Sequence, residues 1–320
     1  MKKKILLVFA LVLCAVGAAI FLFALSQVGW NFSRLFRVEY TDLTHVIDPD
    51  FEKIQIDVGT ANVEFIASRD GEVSVFLHQR DKVEYTVNEK NGVITISENN
   101  TMEWYDHIFS VSFDTPRIVV SLPSGEYGSL AAATRTGDVT LGRDLTFSGI
   151  EISQSTGNTR LYSSSVGDVK IDTGTGNLLV EGVTLPSLDV SVTTGNVTIS
   201  SLDAVGDVSV RSSTGNVDIT DLSSDGLTVN GGTGYASLCR AVARTALTVE
   251  LSTGEVRLAD SDSALVRITT STGSVRGNLL TGKTFVAKSG TGTVNVPEDS
   301  GQNRCEITTG TGSIDISVSK

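Results

Sequence analysis

Cysteine and histidine are scarce in this chain of 320 residues, with three of each. Three cysteines cannot build a disulfide framework, and we expect no bridge among Cys14, Cys239 and Cys305. The histidines, at positions 45, 78 and 107, lie on separate segments without the spacing of metal ligands. The sequence therefore predicts no metal site and no cofactor.

Aromatic residues and prolines are also few, at 6% of the chain and five residues respectively, whereas glycine reaches 31 residues. Many glycines with few prolines are typical of repeated tight turns rather than of a disordered coil. The formal net charge is -12. Because an acidic surface repels phosphate backbones, nucleic acid is excluded as the expected partner.

One long apolar run stands near the amino terminus, from Ile5 to Leu25. At 1.5 Å per residue, a helix of this length crosses a hydrocarbon layer of about 30 Å. Lys2, Lys3 and Lys4 precede it, which favours a cytoplasmic amino terminus. We expect a basic tip over 1–4, a transmembrane anchor over 5–25 and a linker over 26–50. A cleaved signal peptide, ending near Ala24-Leu25-Ser26, is the alternative.

Ten Thr-Gly pairs recur through the last two-thirds of the chain at intervals of 19 or 20 residues. So regular a period is typical of one supersecondary unit stacked on copies of itself. The ten glycines form the predicted turn ladder: Gly137, Gly157, Gly176, Gly195, Gly215, Gly234, Gly254, Gly273, Gly292 and Gly312.

Apolar residues flank each Thr-Gly pair with a spacing of two, as Val208 and Val210 before Gly215 and Val217 and Ile219 after it. That spacing is typical of strands with one buried face. Each unit is thus a strand, a turn and a second strand. The sequence predicts an all-β protein whose residues 126–320 form a parallel β-helix, or β-solenoid, of about ten rungs of 19–20 residues. A five-bladed propeller with two repeats per blade is the alternative.

The residue types of the Thr-Gly turn suit a tight reversal of the chain. Glycine adopts positive φ without steric cost, and an Asn or Asp follows it in the first five copies. These amides are expected to stack as a ladder that ends halfway. We expect the ten turn threonines to bond within their turns; a row of free hydroxyls matching a periodic ligand such as a glycan is the alternative.

Residues 51–125 contain strand patterns without the strict period, and we expect them to form an irregular β head that caps the solenoid. Gly59-Thr60-Ala61-Asn62-Val63 is a degenerate first copy of the turn. Within this head, Trp104, Tyr105 and Phe109 form a dense cluster in an aromatic-poor chain. Exposed aromatic residues mark contact surfaces, so these three are candidate partner-binding residues.

The chain resembles the bacterial putative-adhesin domain family, a β-strand-repeat domain of unknown function. The matching features are the strands Ile54–Val58 and Ile118–Leu122 and the run of Thr-Gly-Asn/Asp-Val units after them. The resemblance covers roughly residues 40–320 and implies a fold. It brings no catalytic residue, and a single apolar segment before the domain is common in this family.

No nucleophile elbow or phosphate-binding loop is present in the sequence. Asp168 and Asp207 share a corner two rungs apart, which turn chemistry explains. The sequence therefore predicts a non-enzymatic, single-pass extracytoplasmic solenoid that acts as an adhesin, binding element or scaffold of the cell envelope. Its partners would be the membrane, an unknown envelope protein or glycan, and other copies through end-to-end contact at Ile314–Val318. The alternatives are an accessory of envelope stress sensing and a glycan-active β-helix enzyme.

Overall fold

A computed structural model of the chain describes residues 2–27, 29–30, 38–103, 114–298 and 301–319. It begins with a helix, α1 (Lys2–Gln27), of 26 residues. Its apolar part, Lys4–Gln27, is long enough to cross a membrane, and none of it is buried against the rest of the protein. Such a helix fits a membrane anchor and a signal sequence equally well.

Within the described residues the head has seven strands, which combine parallel and antiparallel pairing. β1 pairs antiparallel with β4, β4 with β7, and β5 with β6. β2 pairs in parallel with β6, and β3 with β7. Their bounds are β1 (Tyr40–Ile47), β2 (Lys53–Thr60), β3 (Asn62–Ala67), β4 (Val73–Arg80), β5 (Val83–Lys90), β6 (Val93–Asn100) and β7 (Arg117–Leu122).

The remaining strands stack in parallel, each repeat on the next. The bounds are β8 (Gly125–Tyr127), β9 (Ser129–Thr136), β10 (Val139–Leu141), β11 (Leu145–Phe147), β12 (Ile150–Thr156), β13 (Thr159–Leu161), β14 (Ser164–Ser165), β15 (Val169–Thr175), β16 (Leu178–Leu185), β17 (Leu188–Thr194), β18 (Val197–Ala204), β19 (Val208–Thr214), β20 (Val217–Thr233), β21 (Ala236–Thr253), β22 (Val256–Thr272), β23 (Val275–Leu279), β24 (Thr284–Thr291), β25 (Val294–Asn295), β26 (Arg304–Thr311) and β27 (Ile314–Val318).

The register places equivalent residues of successive repeats directly above one another. Val197 pairs with Leu178 on one side and with Val217 on the other, and all three are buried. One rung alone cannot bury its apolar residues, so each rung depends on its neighbours for a core. The predicted fold class, an all-β parallel solenoid, is confirmed, and the propeller alternative is wrong.

Chain order and stacking order differ at the carboxyl-terminal end, which we call the tail. β22 pairs with β26, and β26 pairs in turn with β24. Likewise β27 lies between β23 and β25. The last strand, Ile314–Val318, was expected to form the open end, and that expectation is wrong. The outermost tail rung is β24 and β25, and the final strands lie one rung inside it.

The head shows the same exchange. The rung formed by β2 and β3 lies between the rung of β9 and β10 and the rung of β6 and β7. At both ends, therefore, the outermost parallel rung falls between its two inner neighbours in the sequence. The head rung differs from the tail rung in one respect: its outer edges are paired with the antiparallel strands β5 and β4.

Candidate functional site

The Thr-Gly corner is built by backbone geometry that only glycine tolerates. All ten turn glycines have φ between 134° and 153°. A methyl group on any of them would lie 1.7–2.3 Å from the turn carbonyl oxygen of the neighbouring rung. Nine of their amides donate along the stack, as Gly157 N does to the Thr175 carbonyl at 2.9 Å. In the first rung Ala61 occupies the equivalent position, with its carbonyl facing Gly137.

A ladder of side-chain acceptors runs beside the glycines. The Asp138 carboxylate accepts from Asn158 N at 2.9 Å, and the amide oxygen of Asn158 accepts from Asn177 N at 3.0 Å. The series begins at Asn62 and ends at Tyr235 N, which donates to Asn216 at 3.1 Å. Along the first half of the stack, a side-chain oxygen in each rung therefore accepts a hydrogen bond from a backbone amide of the next rung.

Asp138 carries the charge in this ladder. Partial burial opposes its ionisation, but the hydrogen bonds from Asn158 and Arg160 outweigh the burial and hold the pKa of Asp138 below its usual value. The Arg160 guanidinium nitrogen lies 2.9 Å from the carboxylate. The result is a fixed negative charge at the head side of the turn edge.

A second, polar column inside the corner was missed by sequence analysis. Three residues before each turn glycine, a side chain points inward and is buried in most rungs. Several of these side chains donate to a turn glycine carbonyl, as Thr309 does to Gly273 at 2.8 Å and Ser289 to Gly312 at 2.7 Å. The signal was present as recurring Thr, Ser and Gln: Thr134, Gln154, Thr173, Ser212, Thr270 and Thr309. The sequence analysis assigned buried positions to apolar residues only, and so it did not predict that these polar side chains are buried.

The turn threonines differ from the expectation that they bond within their turns. All ten are exposed: Thr136, Thr156, Thr175, Thr194, Thr214, Thr233, Thr253, Thr272, Thr291 and Thr311. Within the described part of the chain, none of their hydroxyls makes a hydrogen bond to the protein. Members of the inner column such as Thr270 and Thr309 bond to glycine carbonyls instead, and the turn threonines form an outer row.

The tail end exposes positions that are core elsewhere. Val294 occupies the column of Val275 and Ile314, which are fully buried, yet 44% of its surface is exposed. Phe285 and Ala287, in the columns of Cys305 and Ile307, are also only partly buried. β24 pairs with β26 on one edge and, among the described residues, with no strand on the other. The tail rung therefore exposes more apolar surface than the rungs inside it.

A buried ion pair fastens this tail rung. The Lys283 ammonium contacts the Asp262 carboxylate and donates to the Ser263 carbonyl at 2.7 Å and the Thr281 hydroxyl at 2.8 Å. The Lys283 side chain is fully buried. A single lysine after a turn gives no sequence signal of burial, so sequence analysis did not single it out.

The head places one histidine between two acids. His78 Nδ1 lies 2.6 Å from Asp42, and Nε2 lies 3.1 Å from Asp114. Its ring stacks on Tyr40 with a centroid distance of 4.6 Å. The cluster ties β1 to β4 and to the segment that precedes β7. The candidate partner-binding residues Trp104, Tyr105 and Phe109 lie outside the described residues.

The two acids considered for catalysis, Asp168 and Asp207, do not meet at one level of the stack. Asp168 accepts from the Ser187 hydroxyl at 2.6 Å, and the register puts Asp207 two rungs away from it, at roughly 10 Å. Over the residues that the structure describes, no three His, Cys, Asp or Glu side chains group closely enough to hold a metal ion.

The family model of Toastrack DUF4097 matches residues 51–206 and again residues 202–320. The chain belongs to this family. The match spans β2 to β27, and it agrees with the resemblance to putative-adhesin domains found in the sequence. The sequence matched no curated protein.

Three of the solved structures that resemble parts of the chain come from Bacteroides and Parabacteroides species, each with low sequence identity. A "putative adhesin" from Bacteroides fragilis is 15% identical, with 87% of this chain and 97% of that chain covered and a TM-score of 0.42. A "putative adhesin" from Parabacteroides distasonis is also 15% identical, covering 75% and 97%, with a TM-score of 0.42. A "putative lipid binding protein" from Parabacteroides distasonis is 16% identical, covering 77% and 97%, with a TM-score of 0.46.

Proposed function

We propose that this Toastrack protein is a non-enzymatic, membrane-anchored rod of the cell envelope that acts as an adhesin or scaffold outside the cytoplasmic membrane. The observation that carries the proposal is the polarity of the rod. α1 precedes the head strands in the chain, and the outer head rung is paired on both edges. The tail rung, at the far end of the stack, pairs with β26 and β27 on its inner side and with no further strand of the described chain.

The stack suits a spacer that presents one end. Parallel rungs rise about 4.8 Å each, so ten rungs extend about 48 Å. Every rung is bonded to its neighbours through backbone, glycine corner and core, which gives a stiff body. The formal charge of -12 keeps such rods apart along their sides. Contacts are then favoured at the tail.

The anchor is tested on the full chain in a bacterial host. We expect the intact 320-residue chain in the membrane fraction, with its rod digested by protease added to whole cells. A variant lacking residues 5–25 is the control and should leave the membrane. Recovery of a mature chain that begins near Ser26, or of a rod protected from protease until the cells are lysed, would overturn the proposal.

Glycan binding along the turn edge is a second candidate, and the exposed threonine row favours it. Ten free hydroxyls at a regular rung spacing match a polymer with a repeat of similar length. Replacing Thr214 and Thr233 with Val should abolish binding of the full chain to a glycan array. The control replaces Thr184 and Thr198, two exposed threonines on other strands, with Val. Equal binding by both variants would exclude the row.

A further inference from the structure

We propose that the side chains of Lys283 and Asp262 condense into an isopeptide bond, which makes this buried pair a site of self-catalysed covalent modification. The amide forms between Lys283 Nζ and Asp262 Cγ, and one water is released. The ion pair in the structure is the state before this reaction. The chemistry stands on the geometry of the pair alone, whereas its use in a load-bearing rod rests on the anchored rod proposed above.

Burial sets these two residues apart from the other charged residues. Among the charged residues that the structure describes, only Lys283 and Asp262 are buried, with whole-residue exposures of 0% and 8%. By contrast Val242, the register partner of Asp262 one rung toward the head, is 39% exposed. Charged groups cost free energy when they leave water, whereas an amide that joins the two side chains carries no charge. The fold therefore encloses one amine with one acid.

Hydrogen bonds direct the Lys283 nitrogen toward the carboxyl group. A lysine ammonium has three protons to donate. Two of them go to the Ser263 carbonyl at 2.7 Å and the Thr281 hydroxyl at 2.8 Å, and the nitrogen also contacts Asp262 Oδ1. When the third proton moves to the carboxylate, the lone pair that it leaves on Nζ faces the same carboxyl group. Two groups held in this way react with an effective concentration of about 10⁵ M or more.

The carboxyl group is also held in place. The backbone amide of Ser263 donates to Asp262 Oδ1 at 2.8 Å. As Nζ adds to Cγ, negative charge develops on a carboxyl oxygen. A fixed N–H donor at Oδ1 stabilises that charge without rearrangement, as the donors of an oxyanion hole do. Oδ1 therefore becomes the amide oxygen, and Oδ2 is the oxygen that departs.

The reaction is a condensation that needs no oxidant and no second substrate. Proton transfer within the pair gives a neutral amine and a neutral carboxylic acid. The Nζ–Cγ bond then forms, and the Cγ–Oδ2 bond breaks. One proton of the amine leaves with the Oδ2 hydroxyl as water, and the Thr281 hydroxyl, which accepts from Nζ, relays that proton. The Asp262 side chain is 11% exposed, which leaves the water a way out.

The bond joins two rungs that are not neighbours in the stack. Asp262 belongs to β22, and Lys283 directly precedes β24. β26 pairs with both of these strands and so lies between them. A covalent link from β22 to the start of β24 thus encloses the rung of β26 and β27. The tail rung then cannot separate from the stack unless an amide bond breaks, which suits a rod that bears load between an anchor and a partner.

Mass spectrometry of the full-length chain in detergent tests the bond. We expect the wild-type chain to be lighter than its sequence requires by the mass of one water, and the Lys283→Met chain to show no such deficit. Trypsin should release a branched peptide in which residues 258–267 are joined to residues 277–288, because the linked Lys283 resists cleavage. The matched control is Lys288→Met, at an exposed lysine. It should keep the bond, with the second arm of its branched peptide extended to residue 304.

A second variant tests the proton relay. Thr281→Val keeps the reacting pair but removes the hydroxyl that accepts from Nζ. It should slow the appearance of the branched peptide in newly synthesised chains at least about tenfold. An unchanged thermal midpoint shows that this variant folds. Bond formation at the wild-type rate in the folded variant would refute the relay.

Two results for the wild-type chain would overturn the proposal. One is a chain of full mass whose two tryptic segments are separate. The other is a loss of water confined to residues 258–267, which indicates a cyclic imide of an aspartate rather than a crosslink. Because fractionation of cells tests the anchor separately, an unbranched chain found in the membrane refutes the bond and leaves the anchored rod intact. A branched chain recovered from the medium does the reverse.

Discussion

Lys283 places its ammonium group against the carboxylate of Asp262, and both residues are shielded from solvent. The pair joins the loop before β24 to β22. In stacking order these segments belong to different rungs, since β26 lies between the two strands. The ion pair therefore links two rungs of the tail that are not adjacent in the stack, and we call it the tail clasp.

Removal of one partner of the tail clasp should lower the local stability of the tail rung. Lys283→Met keeps most of the side-chain volume but leaves the Asp262 carboxylate buried and unpaired, which costs about 3–5 kcal/mol. We expect faster amide hydrogen exchange across residues 284–295, with protection near β17 unchanged. The double variant Lys283→Met with Asp262→Leu should recover most of the protection, because an apolar pair replaces the ionic one. Wild-type exchange in the single variant would contradict this account.

Substitution of one turn glycine should disrupt the middle of the stack. At Gly176 the backbone has φ of 149°, and an added methyl group would lie 1.7 Å from the Gly157 carbonyl oxygen. Backbone strain alone costs about 1–3 kcal/mol, and the contact with a neighbouring rung adds to it. Gly176→Ala should therefore lower the free energy of unfolding in urea. Gly125→Ala, where nothing lies within 4 Å, should unfold like wild type; equal stability of both variants would refute the steric role.

Acid should weaken the turn ladder at its head side. Because the folded protein holds the pKa of Asp138 below its usual value, the unfolded chain takes up the proton first as the pH falls. The stabilisation is complete above the ordinary Asp pKa of about 3.9 and is lost as the pH drops through the lowered folded value. Asp138→Asn should remove this part of the slope. The measurement is unfolding free energy against pH for both proteins; parallel curves below pH 4 would contradict it.

The sequence predicts the repeated part of the fold well, since the same rung is written ten times. Alternation around Gly215, with Val210 before it and Val217 after it, is enough to assign two strands and a turn. Stacking then follows, because no single rung can bury those residues. The resemblance to a known family pointed to the same fold.

The order in which the rungs stack at the two ends was not predicted from the sequence. The segments around Gly292 and Gly312 carry the same Thr-Gly motif. The period therefore predicts a turn in each segment, but it does not predict which rung each segment stacks on. Packing decides that Gly312 lies on Gly273 and that Gly292 lies outside it. The prediction that the turn threonines bond within their turns failed for a related reason. Inward side chains such as Thr309 already donate to the glycine carbonyls, and turn propensities do not include that competition.

The exchange of rungs at the tail also bears on how the protein withstands carboxypeptidases. The final strand is clamped between two others, as Ile314 is between Val275 and Val294, and Ser319 N still donates to the Leu279 carbonyl at 2.8 Å. A carboxypeptidase that trims from Lys320 would have to pull a strand out of the middle of a sheet. Trimming should stall within a few residues, as mass spectrometry of digested rods would show; steady erosion past Ile314 would contradict it.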